Sequence, residues 1–169
     1  MIEIRVIGLE NLEGATGQLA EWGKKPFAGK AALRIRDLWT ERIDNAFESK
    51  GGSIGKKWAP LSPAYALWKG RHFPGRPLLV RTGRMKRSLT DSTSRDMIFS
   101  RKGGRQLIIG TRVFYAKYHQ YGYRKDSPKR VLPARPFIKV DQGVANKFAE
   151  EMRKDVELAM KDSTQWRDQ

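Results

Sequence analysis

Ile2, Ile4 and Val6 alternate with Glu3 and Arg5, a period of two that predicts a strand over residues 2–7. Gly8 to Gly17 reads as a turn leading toward a helix. From about Ala28 to Phe47 the period changes. Ala31, Ala32, Ile35, Leu38, Trp39, Ile43, Ala46 and Phe47 recur every three or four residues, and Arg34, Arg36, Asp37, Glu41, Arg42 and Asp44 take the other side. That stripe predicts an amphipathic helix, and Gly51-Gly52 supplies its stop. Residues 49–80 break the pattern with repeated Gly and Pro. Only Ser62 to Lys69 suits a short helix, with Ser62 as cap and Pro63 in its first turn. The rest reads as an extended arm or loop, because connections of this length in compact domains are functional or mobile.

Thr82 to Leu89 fits a short helix or strand. Asp96–Arg101 and Gln106–Thr111 predict two strands joined at Lys102-Gly103-Gly104-Arg105, a hairpin signal. Phe114 to Tyr121 reads as a tyrosine-rich short helix or turn ending at Gly122, Arg124–Arg130 as a polar loop, and Pro136–Val140 as a last strand. From Gly143 to about Lys161 the stripe Val144, Phe148, Met152, Val156, Ala159 and Met160 predicts a second long helix with Asp141 as N-cap. Residues 162–169 are expected to fray. The sum is one domain over 1–169 of the α+β class: a small antiparallel sheet packed with two long helices, plus the arm.

The 169 residues contain no cysteine, which excludes a disulfide scaffold, a thiolate metal site and a cysteine nucleophile. The N-terminal residues lack a signal peptide's apolar stretch, and no window reaches the length of a membrane span. The expectation is a protein made in the cytoplasm, with no membrane partner. The net charge is +16, from 34 Lys and Arg against 18 Asp and Glu. It is unevenly placed. Residues 50–80 carry six basic residues and no acid, and residues 81–140 carry sixteen against Asp91, Asp96 and Asp126. Charge confined to the middle of a chain points to a face turned toward a polyanion.

Catalytic signatures fail on inspection. Lys50-Gly51-Gly52-Ser53-Ile54-Gly55-Lys56-Lys57 imitates a phosphate loop. Its glycines are too close, Lys57 stands where a magnesium-binding hydroxyl belongs, and a helix precedes it instead of a strand. His72 and His119 share no metal spacing, and the basic block offers few carboxylates to help them. Ser88 and Ser100 show no nucleophile elbow. The reading is therefore a protein that is not an enzyme and takes no cofactor, metal or small-molecule substrate. Tyr115, Lys117, Tyr118, Tyr121, Tyr123, Arg124 and Lys125 interleave rings with charge, which suits packing or a subunit contact better than base stacking.

Four strings in order carry a resemblance. Trp58-Ala59-Pro60-Leu61-Ser62 with Tyr65 and Lys69 is one. Leu78-Leu79-Val80-Arg81-Thr82-Gly83-Arg84-Met85 with Ser88-Leu89 is the second. Ile108-Ile109-Gly110-Thr111 with Tyr115-Ala116 and His119-Gln120-Tyr121-Gly122 is the third, and Pro133-Ala134-Arg135-Pro136-Phe137-Ile138 the fourth. Together, over about residues 31–160, they resemble the virion morphogenesis, or tail completion, proteins of Mu-like and P2-like phages. Met85 stands where that family usually has Leu.

The resemblance implies a structural protein of the head–tail junction that forms a homo-oligomeric ring. Its partners would be other neck, connector and tail proteins and the duplex DNA in the lumen, bound without sequence choice. It would be assembled in the host cytoplasm and located in the virion. A capsid assembly factor absent from the mature particle shares the family, and a free nucleic-acid-binding protein would share the charge. Arg81, Arg84, Lys86 and Arg87, with no acid nearby in sequence until Asp91, are the candidates for a DNA-facing or partner-facing patch. Trp58, Pro60, Leu61 and Tyr65 are the expected anchors of the arm on a neighbouring subunit. Ser62, Thr82, Gly83, Gly110, Tyr115, Ala116, His119, Gly122, Pro133, Arg135, Pro136 and Phe137 are expected to hold the fold.

Overall fold

The computed structural model describes residues 2–7, 22–124 and 131–164. Its elements run β1 (Ile2–Ile7), α1 (Ala31–Glu48), α2 (Pro63–His72), α3 (Arg84–Thr90), β2 (Met97–Ser100), β3 (Gln106–Thr111), α4 (Ala116–Tyr121), β4 (Tyr123–Arg124), β5 (Val131–Leu132) and α5 (Gln142–Thr164). The strands form a three-stranded sheet of order β1-β3-β2 and a two-stranded β4-β5 ladder, so the class is α+β. Tyr123 pairs with Leu132 and Arg124 with Val131, antiparallel. The turn expected over Gly8–Gly17, the loop residues 125–130 and the tail residues 165–169 lie outside the described residues.

The chain gathers into two compact units. One comprises residues 1–2, 39–98 and 110–139, and the other 3–38, 99–109 and 140–169. The helical stripe read from the sequence is the buried one: Ala31, Ala32, Ile35, Trp39, Ile43, Ala46 and Phe47 of α1 are all shielded from solvent. In the first unit Phe137 is completely buried, with its ring 5.8 Å from Phe47, and the Trp58 indole meets Phe47 edge-on at 5.4 Å. Ser88 and Thr111 bury a hydroxyl pair 2.6 Å apart, and Thr111 Oγ1 also accepts the Val113 N–H. Ser88 is thus structural.

In the second unit Val144 and Phe148 of α5 are buried. Asp141 caps that helix as expected, accepting the Val144 N–H at 3.1 Å. The α5 stripe is interrupted by Asp155, a buried carboxylate. Its two oxygens are used, one accepting the Ala31 N–H at 2.9 Å, the other accepting from Arg34 at 2.5 Å. Asp155 therefore satisfies one free N–H donor of the first turn of α1, that of Ala31, from a distant helix.

Two expectations are corrected. Residues 49–80 hold the expected short helix, α2, but they are not otherwise a free arm: they add a 3-10 turn at Gly52–Ile54, and Ile54, Trp58 and Val80 are buried. Apolar residues scattered among glycines and prolines leave no periodic signal, yet these three are buried.

Pro136–Val140 is not a strand. Pro136 has no N–H to give to a ladder. The side chain of Gln120 replaces the missing strand: its Oε1 accepts the N–H groups of Phe137 (3.0 Å) and Ile138 (3.1 Å), and its Nε2 donates to the Ile138 carbonyl at 2.7 Å.

Candidate functional site

The four sequence strings, spread from Trp58 to Ile138, meet at one place. Within the first unit they wall a cavity of about 810 Å³. Pro60, Leu61, Ser62 and Tyr65 come from the first string, and Arg81, Thr82, Gly83 and Arg84 from the second. Tyr115 and His119 come from the third, Pro133 and Arg135 from the fourth. Lys69, Leu79, Val80, Met85, Val131 and Leu132 complete most of the remaining wall. Among the expected residues, Trp58, Lys86, Arg87, Gly110, Ala116, Gly122, Pro136 and Phe137 do not line it.

Backbone geometry shapes the wall. Gly83 sits at φ 80° just before α3, a left-handed conformation that glycine adopts at no steric cost. Leu79 adopts φ 64° on the cavity wall, where a branched side chain is strained. Such strain persists only where neighbours hold it in place, and it clusters at functional sites. Gly122, at φ 78° and ψ 170°, closes α4. A Cβ there would stand 3.0 Å from the Leu132 carbonyl oxygen and the Ala134 nitrogen, so β4 can turn back only on glycine.

Two cations are buried at the site. Arg135 is 3% exposed and donates to the carbonyls of Ala59 (2.7 Å) and Pro60 (2.8 Å), fastening the first string to the fourth. Trp58 repeats that link by donating its indole N–H to the Pro136 carbonyl at 2.5 Å. Lys69 is 6% exposed and donates to the Pro77 carbonyl at 2.5 Å. Burial lowers the pKa of both groups. Among the described residues neither has a carboxylate partner.

His119 meets Tyr115 edge-on at 6.2 Å. Burial, and then the Arg135 charge, push the His119 pKa below the ordinary imidazole value. Its Nδ1 is buried without a hydrogen-bond partner.

The four clustered cations of the second string separate in three dimensions. Arg84 forms a two-pronged pair with Asp96, at 2.6 and 2.9 Å. Lys86 meets Asp44 at 2.5 Å. No acid stands near these cations in sequence until Asp91, and the fold brings Asp96 and Asp44 to them from a distance. Arg81 is exposed and stacks over Phe73 at 5.8 Å, and Arg87 is exposed. Of the expected arm anchors, Trp58 is buried in its own unit instead of being free for a neighbour. Tyr65 is 41% exposed and begins a ladder of stacked rings on α2, with Trp68 at 5.4 Å and His72 a further 4.7 Å on. Leu67, 66% exposed, stands on the same helix.

Lys69 and Gln120 were quoted in the sequence strings but carried no assigned role. The signal available for them was position within a string. For Asp155, an acid on an apolar stripe was the only sign.

Among the described residues, no cluster of His, Asp and Glu is placed to hold a metal ion, and no helix is long and apolar enough to cross a membrane. No solved structure matches the chain significantly. A curated relative, "Putative capsid assembly protein G" of Escherichia phage Mu, is 28% identical over 123 residues, covering 70% of this chain and 72% of that protein. The model of the phage virion morphogenesis family matches residues 34–159. That match takes in all four strings and every wall of the cavity, so the chain belongs to the phage virion morphogenesis family.

Proposed function

We propose that this protein is a structural component of the head–tail junction of a tailed phage, acting in tail completion as a homo-oligomeric ring, and that it works by contact and not by catalysis. The carrying observation is the exposed ladder of Tyr65, Trp68 and His72 with Leu67 on α2, beside a cavity built from all four family strings. Exposed apolar patches that border polar residues mark protein contacts. Head-to-tail contacts that close generate rings, and such a contact requires two different faces on each subunit. Arg81 and Arg87, exposed and, among the described residues, without a salt bridge like those of Arg84 and Lys86, are the cations for a DNA-lined lumen. Backbone contacts of this kind carry no base preference.

The name of the Mu relative, a capsid assembly protein, favours a second reading, a capsid assembly factor, here taken as one absent from the mature particle. Mass spectrometry of purified particles separates the two. Under the first reading the chain is retained at a stoichiometry matching a ring, and gold-labelled antibody decorates the junction. Its absence from infectious particles, with presence in immature heads, would overturn the junction assignment. Charge reversal at Arg81 and Arg87 is expected to leave ring formation intact and to lower the yield of infectious particles.

A further inference from the structure

We propose that the cavity is a docking socket for an acidic peptide segment, carboxylates flanked by apolar side chains, presented by a partner protein of the particle. Lys69 and Arg135 sit in the wall almost fully buried, and each donates only to backbone carbonyls. A buried charge is ordinarily paired with an opposite charge. Among the described residues the cavity offers none of its own, because no Asp or Glu of theirs lines it. The missing counter-charge is thus complementary to a carboxylate arriving from outside.

Ser62, Tyr65 and Thr82 add hydroxyl groups to the wall. Apolar side chains such as Leu61, Val80, Met85 and Leu132 supply much of the rest, which suits aliphatic neighbours of a carboxylate better than a phosphate. The volume is within the range of roughly 300–1,000 Å³ that ligand sites occupy, enough for a few side chains and not for a duplex.

Continuity with the surface favours a protein over DNA. Tyr65 belongs both to the cavity wall and to the ring ladder with Trp68 and His72, so a chain leaving the socket runs along an aromatic ridge. Of the two charges proposed to meet duplex DNA, Arg87 does not line the cavity and Arg81, which does, is exposed, whereas Lys69 and Arg135 are too deep to reach a helical backbone. The inference rests on the reading that this protein acts through protein contacts.

The test uses the full chain and a short fluorescent peptide carrying two glutamates between leucines, alongside its twin with glutamines. The acidic peptide is expected to bind at least about tenfold more tightly than the twin, since charge-assisted hydrogen bonds are about twice as strong as neutral ones. Lys69→Met should abolish most of that preference, and Lys69→Arg should restore part of it. Tyr65→Ala, at an exposed position that does not threaten folding, should weaken both peptides. Equal binding of the two peptides, or no binding of either, overturns the proposal. Displacement by inorganic phosphate as readily as by unlabelled acidic peptide would show a simple anion site, and displacement by duplex DNA a nucleic-acid site. Either result also overturns it. Particle mass spectrometry is independent of these outcomes: a socket that binds in a chain absent from particles would leave this inference standing and remove the junction reading.

Discussion

Replacing Gln120 by methionine keeps the length of the side chain and removes all three of its hydrogen bonds. The wild-type amide is fixed by its partners, because two N–H donors, of Phe137 and Ile138, require the oxygen and one carbonyl, of Ile138, requires the nitrogen. Methionine leaves these groups without partners. An unsatisfied group costs about 1–3 kcal/mol, and partial access of water at this half-buried site favours the lower figure. The expected loss is about 3 kcal/mol. For a chain of this size each kcal/mol shifts the melting midpoint by roughly 2–4 °C, so the fall should be about 6–12 °C.

Gln120→Glu sharpens the argument. One carboxylate oxygen keeps the two N–H bonds, but the other faces the Ile138 carbonyl where a donor stood. The protonated acid can donate there and the ionised form cannot. The folded-state pKa of the new glutamate therefore rises above its unfolded value of about 4.3. Its deficit relative to wild type should be small below that pH, grow as pH rises toward the folded pKa, and stay constant above it. Melts of both proteins across a pH series measure this. A methionine variant that melts with wild type, or a glutamate deficit independent of pH, would refute the account of residues 136–140 as a segment held by a side chain.

Phe137→Ala, in the most buried position of the fourth string, should cost about 3–5 kcal/mol in denaturant unfolding. Glu151, whose pKa is held below its ordinary value first by Lys154 and also by Arg34, contributes stability that is present above the ordinary carboxylate pKa. That contribution is lost as pH falls through the depressed folded value, and Glu151→Gln should flatten this acid limb of the stability curve. His119 should titrate below its ordinary value in an NMR pH series. Its folded pKa is depressed, so its contribution is complete above the unfolded pKa and declines as pH falls through the folded one.

The sequence by itself determined the elements whose residues repeat with a period. α1, α5, β1 and the β2–β3 pair all fall where alternation or a three-and-four spacing placed them, because burial of one face writes that period into the chain. The family strings, too, were legible as strings. What they are for was not. Only the tertiary structure placed Tyr65, Thr82, His119 and Arg135 around one cavity, gave Arg84 and Lys86 their partners Asp96 and Asp44, and carried the Asp155 carboxylate to the start of α1.

The folding of residues 49–80 escaped the sequence for a related reason. Their buried residues, Ile54, Trp58 and Val80, have no common period, and each is brought inward by a separate turn. Periodicity reports contacts a few residues apart. Ion pairs, caps and cavities join residues tens of positions apart, and their energies depend on distances in space that no local pattern records.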